Sequence, residues 1–262
     1  MPPSNEQVTA ARVLLREVCA LLAEHRDNAV LVGGWVPEVL FPEARPSHIG
    51  SIDVDVATRL QRDGYAQLVA LLRERGFYQG ENGYQFYKDI PLTNGRSGRA
   101  RLDLLTSQRH HEEFFAGARP DEAPEPIRGA EMAFDDNALV NVGNAGTLRV
   151  TGIVAFLVMK SLAMHSRDNE KDAYDIHFCL EQYPGGLEAL AALFHPWRDD
   201  ALVDEALGKM EARFRSEEDD GPRVVADIDR LVGDTRAIRK LEAATRVQEF
   251  LRLVRSVPKT AP

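Results

Sequence analysis

Two aspartates at alternate positions, Asp53 and Asp55, are the residues of this sequence whose spacing best suits chemistry. The segment Ile52–Ala57 alternates acidic and β-branched residues, a pattern that predicts a strand with its β-branched face packed in the core. Both carboxylates should then project from one face, roughly 6–7 Å apart along the chain. Two close negative charges need a cation, and carboxylate oxygens suit Mg²⁺. The alternative is a strand whose acids simply face the solvent.

A third carboxylate stands in the apolar segment Arg101–Leu105. As a strand, this segment places Asp103 on the same face as Arg101 and Leu105. If the strand neighbours that of Asp53, then Asp103 completes a three-carboxylate site for one or two metal ions. A lone strand aspartate is otherwise an ordinary exposed residue, so the assignment depends on the pairing.

A glycine pair, Gly33-Gly34, follows the short apolar segment Ala29–Val32, which predicts a buried strand. Without a Cβ, two glycines let backbone N–H groups approach phosphate groups closely, and a following helix would add positive potential. Pro37 favours the start of such a helix. Taken alone, a glycine pair after a strand is more often a plain turn.

Lys160 lies in a segment, Gly152–Met164, that is apolar almost all round and therefore predicts a buried helix. A buried lysine needs a nearby anion to keep its charge. On the next predicted helix Asp168, Asp172 and Asp175 share one face, and Lys171 can pair with Asp175. Lys160 is thus either a ligand for phosphate groups or half of a structural ion pair between helices.

Three arginines, Arg96, Arg99 and Arg101, are spaced to form a local basic groove, for which a solvated basic loop is the alternative. The formal net charge is −9, which argues against a protein that coats long nucleic acids. The two cysteines fit no metal-binding spacing, and a reducing cytosol is expected. The N-terminal residues lack the pattern of a signal peptide, and no apolar run is long enough to span a membrane.

The remaining pattern divides the chain into a mixed α/β part, residues 1–150, and a helical part, residues 151–262. Arg119–Arg128 is expected to be an exposed connection, and Thr151 the N-cap of the first helix of the second part. Predicted strands are 29–33, 52–57, 77–79, 84–90, 99–106, 138–142 and 147–150. Predicted helices are 6–25, 61–75, 152–165, 169–183, 186–194, 201–214, 223–232 and 235–254.

In order and spacing, Gly33-Gly34, Ser51-x-Asp53-x-Asp55 and Asp103 resemble the nucleotidyltransferase superfamily that includes DNA polymerase beta. The residues Lys160, Arg167, Lys171-Asp172 and Asp175 look like the tail signature of its AbiEii group, toxins of bacterial toxin–antitoxin and phage-defence systems. The resemblance covers about Leu31–Leu180. It implies an α+β fold, with a mixed sheet flanked by helices and a C-terminal helical domain.

The resemblance also implies roles for these residues. Asp53, Asp55 and Asp103 would hold one or two Mg²⁺ ions, while Gly33, Gly34, Ser51 and Lys160 would bind an NTP. Asp175 would assist the acceptor or orient Lys160. The reaction would move a nucleoside monophosphate onto an acceptor hydroxyl, expected at a tRNA acceptor end, and a cognate antitoxin protein is a possible partner. The acceptor-binding residues would be Arg96, Arg99, Arg101, Arg167 and Lys171.

One departure from the resemblance concerns Trp35, because many relatives have Ser or Thr directly after the glycines. Phosphate contact would then depend on backbone amides, with Ser51 lending a hydroxyl. Two alternatives remain open. One keeps the chemistry with a small molecule, such as an aminoglycoside, or a protein hydroxyl as acceptor; the other is a non-catalytic module that binds nucleotide or a partner protein.

Overall fold

The computed structural model describes residues 4–93, 95–142, 146–164 and 171–256. These residues form two compact units, one within Pro2–Pro42 and Ser47–Ala155, the other within Glu43–Pro46 and Phe156–Pro262. The division falls inside a helix, after Ala155. The domain boundary expected after residue 150 stays a prediction.

The first unit is a mixed sheet of eight strands flanked by helices. Its strands are β1 (Ala29–Val32), β2 (Asp53–Thr58), β3 (Tyr78–Gln79), β4 (Gln85–Pro91), β5 (Ser97–Ser107), β6 (Glu125–Ile127), β7 (Asn137–Asn141) and β8 (Thr147–Thr151). Its helices are α1 (Asn5–Leu21), α2 (Val36–Leu40), α3 (Arg62–Glu74), α4 (Gln108–Phe114), α5 (Ala130–Asp135) and the start of α6 (Ile153–Ala163).

The sheet places β2 at its centre, in the order β3-β4-β5-β2-β1-β8-β7, with β6 pairing β5. Strand β2 runs parallel to β5 and antiparallel to β1. All four residues of β1 are buried, and Val54 and Val56 of β2 have no exposed surface. Central strands covered on both sides form a rigid frame for any side chains at their ends.

Helix α1 shows how the sequence builds the layer over this sheet. Its first turn is closed by a capping box, in which the Ser4 hydroxyl accepts from the Gln7 N–H at 3.3 Å. Leu14 and Val18, on the apolar face of α1, are fully buried, and the helix packs on β5. Burial of each such side chain stabilises the packing by roughly 1.5–3 kcal/mol.

Among its described residues, the regular secondary structure of the second unit consists of helices. After α6 come α7 (Lys171–Gln182), α8 (Gly186–Ala192), α9 (Ala201–Arg213), α10 (Asp220–Ile228) and α11 (Gly233–Ser256). Helix α11 contacts α7, α8, α9 and α10, and its inward face includes the fully buried Val247 and Phe250. Within the described residues, none of the helices has both the length and the apolar character needed to cross a membrane.

The predicted α+β class is confirmed, and the predicted strands and helices are present with shifted ends. Three elements were not predicted: α4, α5 and β6. Strand β6 lies in Arg119–Arg128, which was expected to be only an exposed connection, and it pairs in parallel with β5. The prolines and acids of this segment suggested a loop, but an edge strand of three residues tolerates both.

Two further predictions about local packing are wrong. Ile52 was expected in the core, yet it is 42% exposed. Strand β2 begins at Asp53, so Ile52 lies outside the strand and does not follow its alternation of faces. Thr151 was expected to cap α6, but it ends β8, and the Asp136 carboxylate accepts from the Ala155 N–H at 2.9 Å instead. The carboxylate satisfies a backbone donor that the helix itself leaves unpaired.

Candidate active site

Asp53 and Asp55 lie half-buried on one face of β2, while Val54 and Val56 fill the core on the other. Period-two alternation on a central strand produces this division. The alternative of a strand with fully solvent-facing acids does not fit, because both aspartates are half-buried.

The parallel pairing of β2 with β5 brings the third carboxylate beside the first two. In the register, Asp53 stands opposite Arg101 and Asp55 opposite Asp103. Asp103 is 6% exposed, and each of the three aspartates offers an oxygen within 4.8 Å of the others. The three carboxylates are therefore positioned to bind a metal ion.

Gly33 leaves room for the Asp55 carboxylate in this cluster. It has φ +73°, and a Cβ added there would lie 1.9 Å from Asp55 Oδ2, closer than any two such atoms can approach. The backbone of the turn Gly33–Trp35 thus lies directly against the Asp55 carboxylate. The donor set, three carboxylates with backbone close by, consists of oxygen atoms and fits a hard divalent cation such as Mg²⁺.

Gly34 and Trp35 follow in the same turn and are both buried. The Trp35 side chain has no exposed surface, and the Arg12 guanidinium lies 5.3 Å from its ring centroid. Trp35 is therefore a core residue, and only the backbone of this turn is available to a ligand.

Ser51 contacts one of the acids. Its side chain is buried, and its hydroxyl donates to Asp53 Oδ1 at 2.7 Å. A hydrogen bond from a buried hydroxyl restricts the rotation of the carboxylate. Here Ser51 orients Asp53, whereas the sequence suggested a contact with phosphate.

Arg101 points into the carboxylate cluster. Its Nη2 contacts Asp53 Oδ2, and its Nε lies 2.9 Å from Asp103 Oδ1. Burial opposes the charge of Arg101, but the nearby Asp103 and Asp53 outweigh it and raise the pKa of the guanidinium. Sequence reasoning missed this arrangement, although the Arg-x-Asp spacing on one strand face was a signal for it.

The other residues of the expected acceptor groove also have acidic neighbours. Arg96 Nη1 lies 3.2 Å from Glu6 Oε1, and Arg99 Nε lies 3.6 Å from Asp89 Oδ1. Their side chains are largely exposed. Arg167 lies outside the described residues, as does Asp168.

In the second unit, Lys160 lies between two buried carboxylates. Its Nζ is 2.7 Å from Asp172 Oδ1 and 2.8 Å from Asp175 Oδ2, while Lys171 Nζ is 2.7 Å from Asp175 Oδ1. Burial lowers the pKa of Lys160, but Asp175 and Asp172 outweigh it, so the net shift is upward and the ammonium stays charged. The sequence anticipated Asp175 but assigned no role to Asp172.

Comparison with known proteins bears on the fold. No family model matches the sequence, and no curated protein matches it. Among solved structures, a candidate nucleotidyltransferase from H. pylori aligns over 98% of this chain and 100% of its own, with a TM-score of 0.50 and 14% identity. An antigenic nucleotidyltransferase-like protein from Paracoccidioides brasiliensis aligns over 80% of this chain and 88% of its own, with a TM-score of 0.48 and 15% identity.

At these identities the likeness concerns the fold, and the chain has a nucleotidyltransferase-like fold. The expectation of that fold is confirmed. The finer resemblance to the AbiEii group stays a prediction.

Proposed function

We propose that this protein is a metal-dependent nucleotidyltransferase that moves a nucleoside monophosphate from an NTP to an acceptor hydroxyl. The observation that carries the proposal is the convergence of Asp53, Asp55 and Asp103, with oxygens within 4.8 Å of one another. The nucleotidyltransferase-like fold supports the same conclusion. Three carboxylates around one point repel each other, and the single guanidinium of Arg101 pairs with only two of them.

The three aspartates would hold Mg²⁺, with Ser51 keeping Asp53 oriented and Gly33 leaving room for Asp55. A bound divalent ion supplies charge that stabilises the phosphate oxygens in the transition state. The backbone N–H groups of the Gly33–Trp35 turn would face the triphosphate. The acceptor oxygen would form a bond to the α-phosphorus as the bond to pyrophosphate breaks, and the hydroxyl proton would pass to solvent.

Replacing Asp53 with alanine tests this proposal. We expect transfer of labelled nucleotide to fall by about 10³-fold or more, because a ligand of the ion is lost. The assay uses each of the four α-labelled NTPs with Mg²⁺, and circular dichroism checks the fold. Asp89→Ala is the matched control, because Asp89 is an exposed strand aspartate paired with Arg99. Undiminished transfer by Asp53→Ala would refute the assignment.

For the acceptor we propose a tRNA 3′ end, as in a toxin of a toxin–antitoxin or phage-defence system. The support is the resemblance of the tail residues, Lys160 to Asp175, to the AbiEii signature. Total tRNA incubated with the protein and the preferred NTP should gain nucleotides on a denaturing gel. Expression in bacteria should arrest growth for the wild type but not for Asp53→Ala. A cognate antitoxin, a separate chain, should relieve the arrest.

A second candidate acceptor is a small molecule such as an aminoglycoside, or a protein hydroxyl. It is favoured by the acidic neighbours of Arg96, Arg99 and Arg101, which leave less positive charge for an RNA backbone. Mass spectrometry of aminoglycosides and of the protein itself after incubation with NTP separates this candidate from tRNA. Failure to bind NTP in the presence of Mg²⁺ would favour the non-catalytic module instead.

Lys160 and Asp175 enter this proposal only through the resemblance. In the structure Lys160 is paired with two aspartates, which favours the alternative of an ion pair between α6 and α7. The contribution of Lys160 to phosphate binding stays a prediction, and a Lys160 variant whose stability and transfer activity are both measured distinguishes the two roles.

A further inference from the structure

A positive charge already lies among the three carboxylates. The Arg101 guanidinium bridges two of them, touching Asp53 through Nη2 and Asp103 through Nε. Only 31% of the Arg101 side chain is exposed, with 21% for Asp53 and 9% for Asp103. Both ion pairs are therefore largely sheltered from solvent, and the contact from Nη2 to Asp53 is a charge-assisted hydrogen bond, which is a strong type of contact.

The bridge engages two of the three carboxylates that would hold a metal ion. Asp53 Oδ1 accepts from the Ser51 hydroxyl at 2.7 Å, and Asp53 Oδ2 faces Arg101. A divalent ion bound directly to Asp53 needs a close, unobstructed approach to one of these oxygens, at about 2.1 Å for Mg²⁺. The guanidinium occupies the approach to Oδ2, so the two cations compete for the same atom.

Strand pairing places Arg101 in this position. Arg101 stands opposite Asp53 in the parallel register and two residues before Asp103 on the same strand face. Arg99, two residues earlier on that face, lies before the first residue of β2 in this register and pairs with Asp89 instead. The chain thus contains two similar arginines on one strand, of which only Arg101 contacts the cluster.

We propose that Arg101 is an exchangeable counter-ion of the metal site. It compensates part of the negative charge of Asp53 and Asp103 when no divalent ion is bound, and it must leave Asp53 before an ion can bind there. The contact from Nε to Asp103 can persist, so the side chain pivots about Asp103. This inference rests on the proposed function for its metal site and adds a residue that sets the affinity of that site.

The test is Mn²⁺ binding to the purified full chain without nucleotide, followed by electron paramagnetic resonance. We expect Arg101→Met to bind Mn²⁺ on the order of tenfold more tightly than the wild type, because the competing charge-assisted contact is gone. Arg99→Met removes the same charge from the same strand face and should change the affinity by less than about twofold. Unchanged or weaker Mn²⁺ binding by Arg101→Met overturns the proposal.

Arg101→Lys distinguishes two ways in which Arg101 could weaken Mn²⁺ binding. One is direct contact with the carboxylates, and the other is repulsion between its positive charge and the ion. The Arg101→Lys protein keeps the net charge, but a single Nζ replaces the two separate nitrogens, Nη2 and Nε, through which Arg101 contacts Asp53 and Asp103. We expect it to bind Mn²⁺ more tightly than the wild type; an affinity equal to wild type would overturn competition by contact. If circular dichroism shows that Arg101→Met does not fold, Arg101→Lys alone is used to test the proposal.

The inference and the proposed function can fail separately. If the Arg101 variants bind Mn²⁺ more tightly but the wild type transfers no nucleotide, the counter-ion exchange stands and the transferase proposal fails. If the wild type transfers nucleotide and the variants bind Mn²⁺ as it does, the exchange fails alone. Absence of Mn²⁺ binding by every variant overturns the exchange, because no cation site then exists to be shared.

Discussion

Gly33 shows most directly how one residue permits the candidate site. Its positive φ and the 1.9 Å that would separate a Cβ from Asp55 Oδ2 make glycine necessary for two independent reasons. The first reason concerns backbone strain and affects stability. The second concerns the position of Asp55 and affects chemistry, so a well-chosen control separates them.

We expect Gly33→Ala to abolish most Mn²⁺ binding and nucleotide transfer, because the new methyl group displaces the Asp55 carboxylate. Gly76→Ala is the control: Gly76 has φ +81°, but a Cβ there meets nothing within 4 Å. It should cost about 1 kcal/mol of stability and leave the transfer rate unchanged. Equal transfer rates for the Gly33→Ala and Gly76→Ala proteins would contradict the close packing of Gly33 against the Asp55 carboxylate.

At the scale of elements, the ion pairs of Lys160 join α6 to α7. Asp172 and Asp175 have no exposed surface, so removal of the lysine leaves buried negative charge with reduced compensation. Such a loss is severe because the low-dielectric interior cannot replace the solvation of the carboxylates. The expected consequence is a loss of stability, whatever part Lys160 takes in catalysis.

We expect Lys160→Met to lower the free energy of unfolding by about 3–5 kcal/mol, as measured by urea denaturation. Lys209→Met is the matched control, because Lys209 forms a helical surface pair with Glu205 at 2.9 Å. It should cost less than about 1 kcal/mol. A Lys160→Met protein with wild-type stability and no transfer activity would instead favour direct phosphate binding by Lys160.

Helix α7 also contains His177, which is fully buried and has no hydrogen-bond partner at either ring nitrogen among the described residues. Burial, with a smaller contribution from Arg239, lowers the pKa of His177 from 6.5 to about 3. Below pH 6.5, His177 therefore binds a proton in the unfolded chain but stays neutral in the folded chain. Stability is complete above that pH and decreases as the pH falls toward 3.

Between pH 7 and pH 5.5 we expect this histidine to reduce the free energy of unfolding by about 1 kcal/mol. His177→Leu removes the titrating group and leaves no polar atom without a partner, so this part of the pH dependence should disappear. Urea denaturation of both proteins at the two pH values measures the difference. Identical pH dependence in the two proteins would show that His177 is not the group responsible.

At the scale of the whole molecule, charge limits the partners that the protein can hold. The formal net charge is −9, and Arg96, Arg99 and Arg101 each lie beside a carboxylate. Strong non-specific attraction to a polyanion requires many lysines and arginines free to replace counterions. An RNA acceptor would therefore be recognised at its end, through few phosphate contacts.

We expect binding of total tRNA to depend weakly on salt. In a plot of the logarithm of the affinity against the logarithm of the salt concentration, the slope should be shallower than about −2. Fluorescence anisotropy between 50 and 200 mM salt, roughly the range in which such slopes are resolved, provides the measurement. A slope steeper than about −5 would show a phosphate-binding surface that these arginines do not supply.

The local features of this protein follow from its residue types and their spacing. Alternation at Asp53 and Asp55 predicted a strand with two faces, and the apolar period after residue 151 predicted helices. These features depend on backbone geometry within a few residues, which side-chain type and spacing record directly.

Contacts between residues that are distant in sequence depend on the complete fold. Arg101 is 48 positions from Asp53 in sequence, and the register of β2 against β5 makes them partners. Asp172 likewise becomes a partner of Lys160 only when α6 and α7 pack together. Strand β6 is a strand only because it pairs with β5. Pairing between distant segments depends on the packing of the whole core, and no pattern within one segment encodes it.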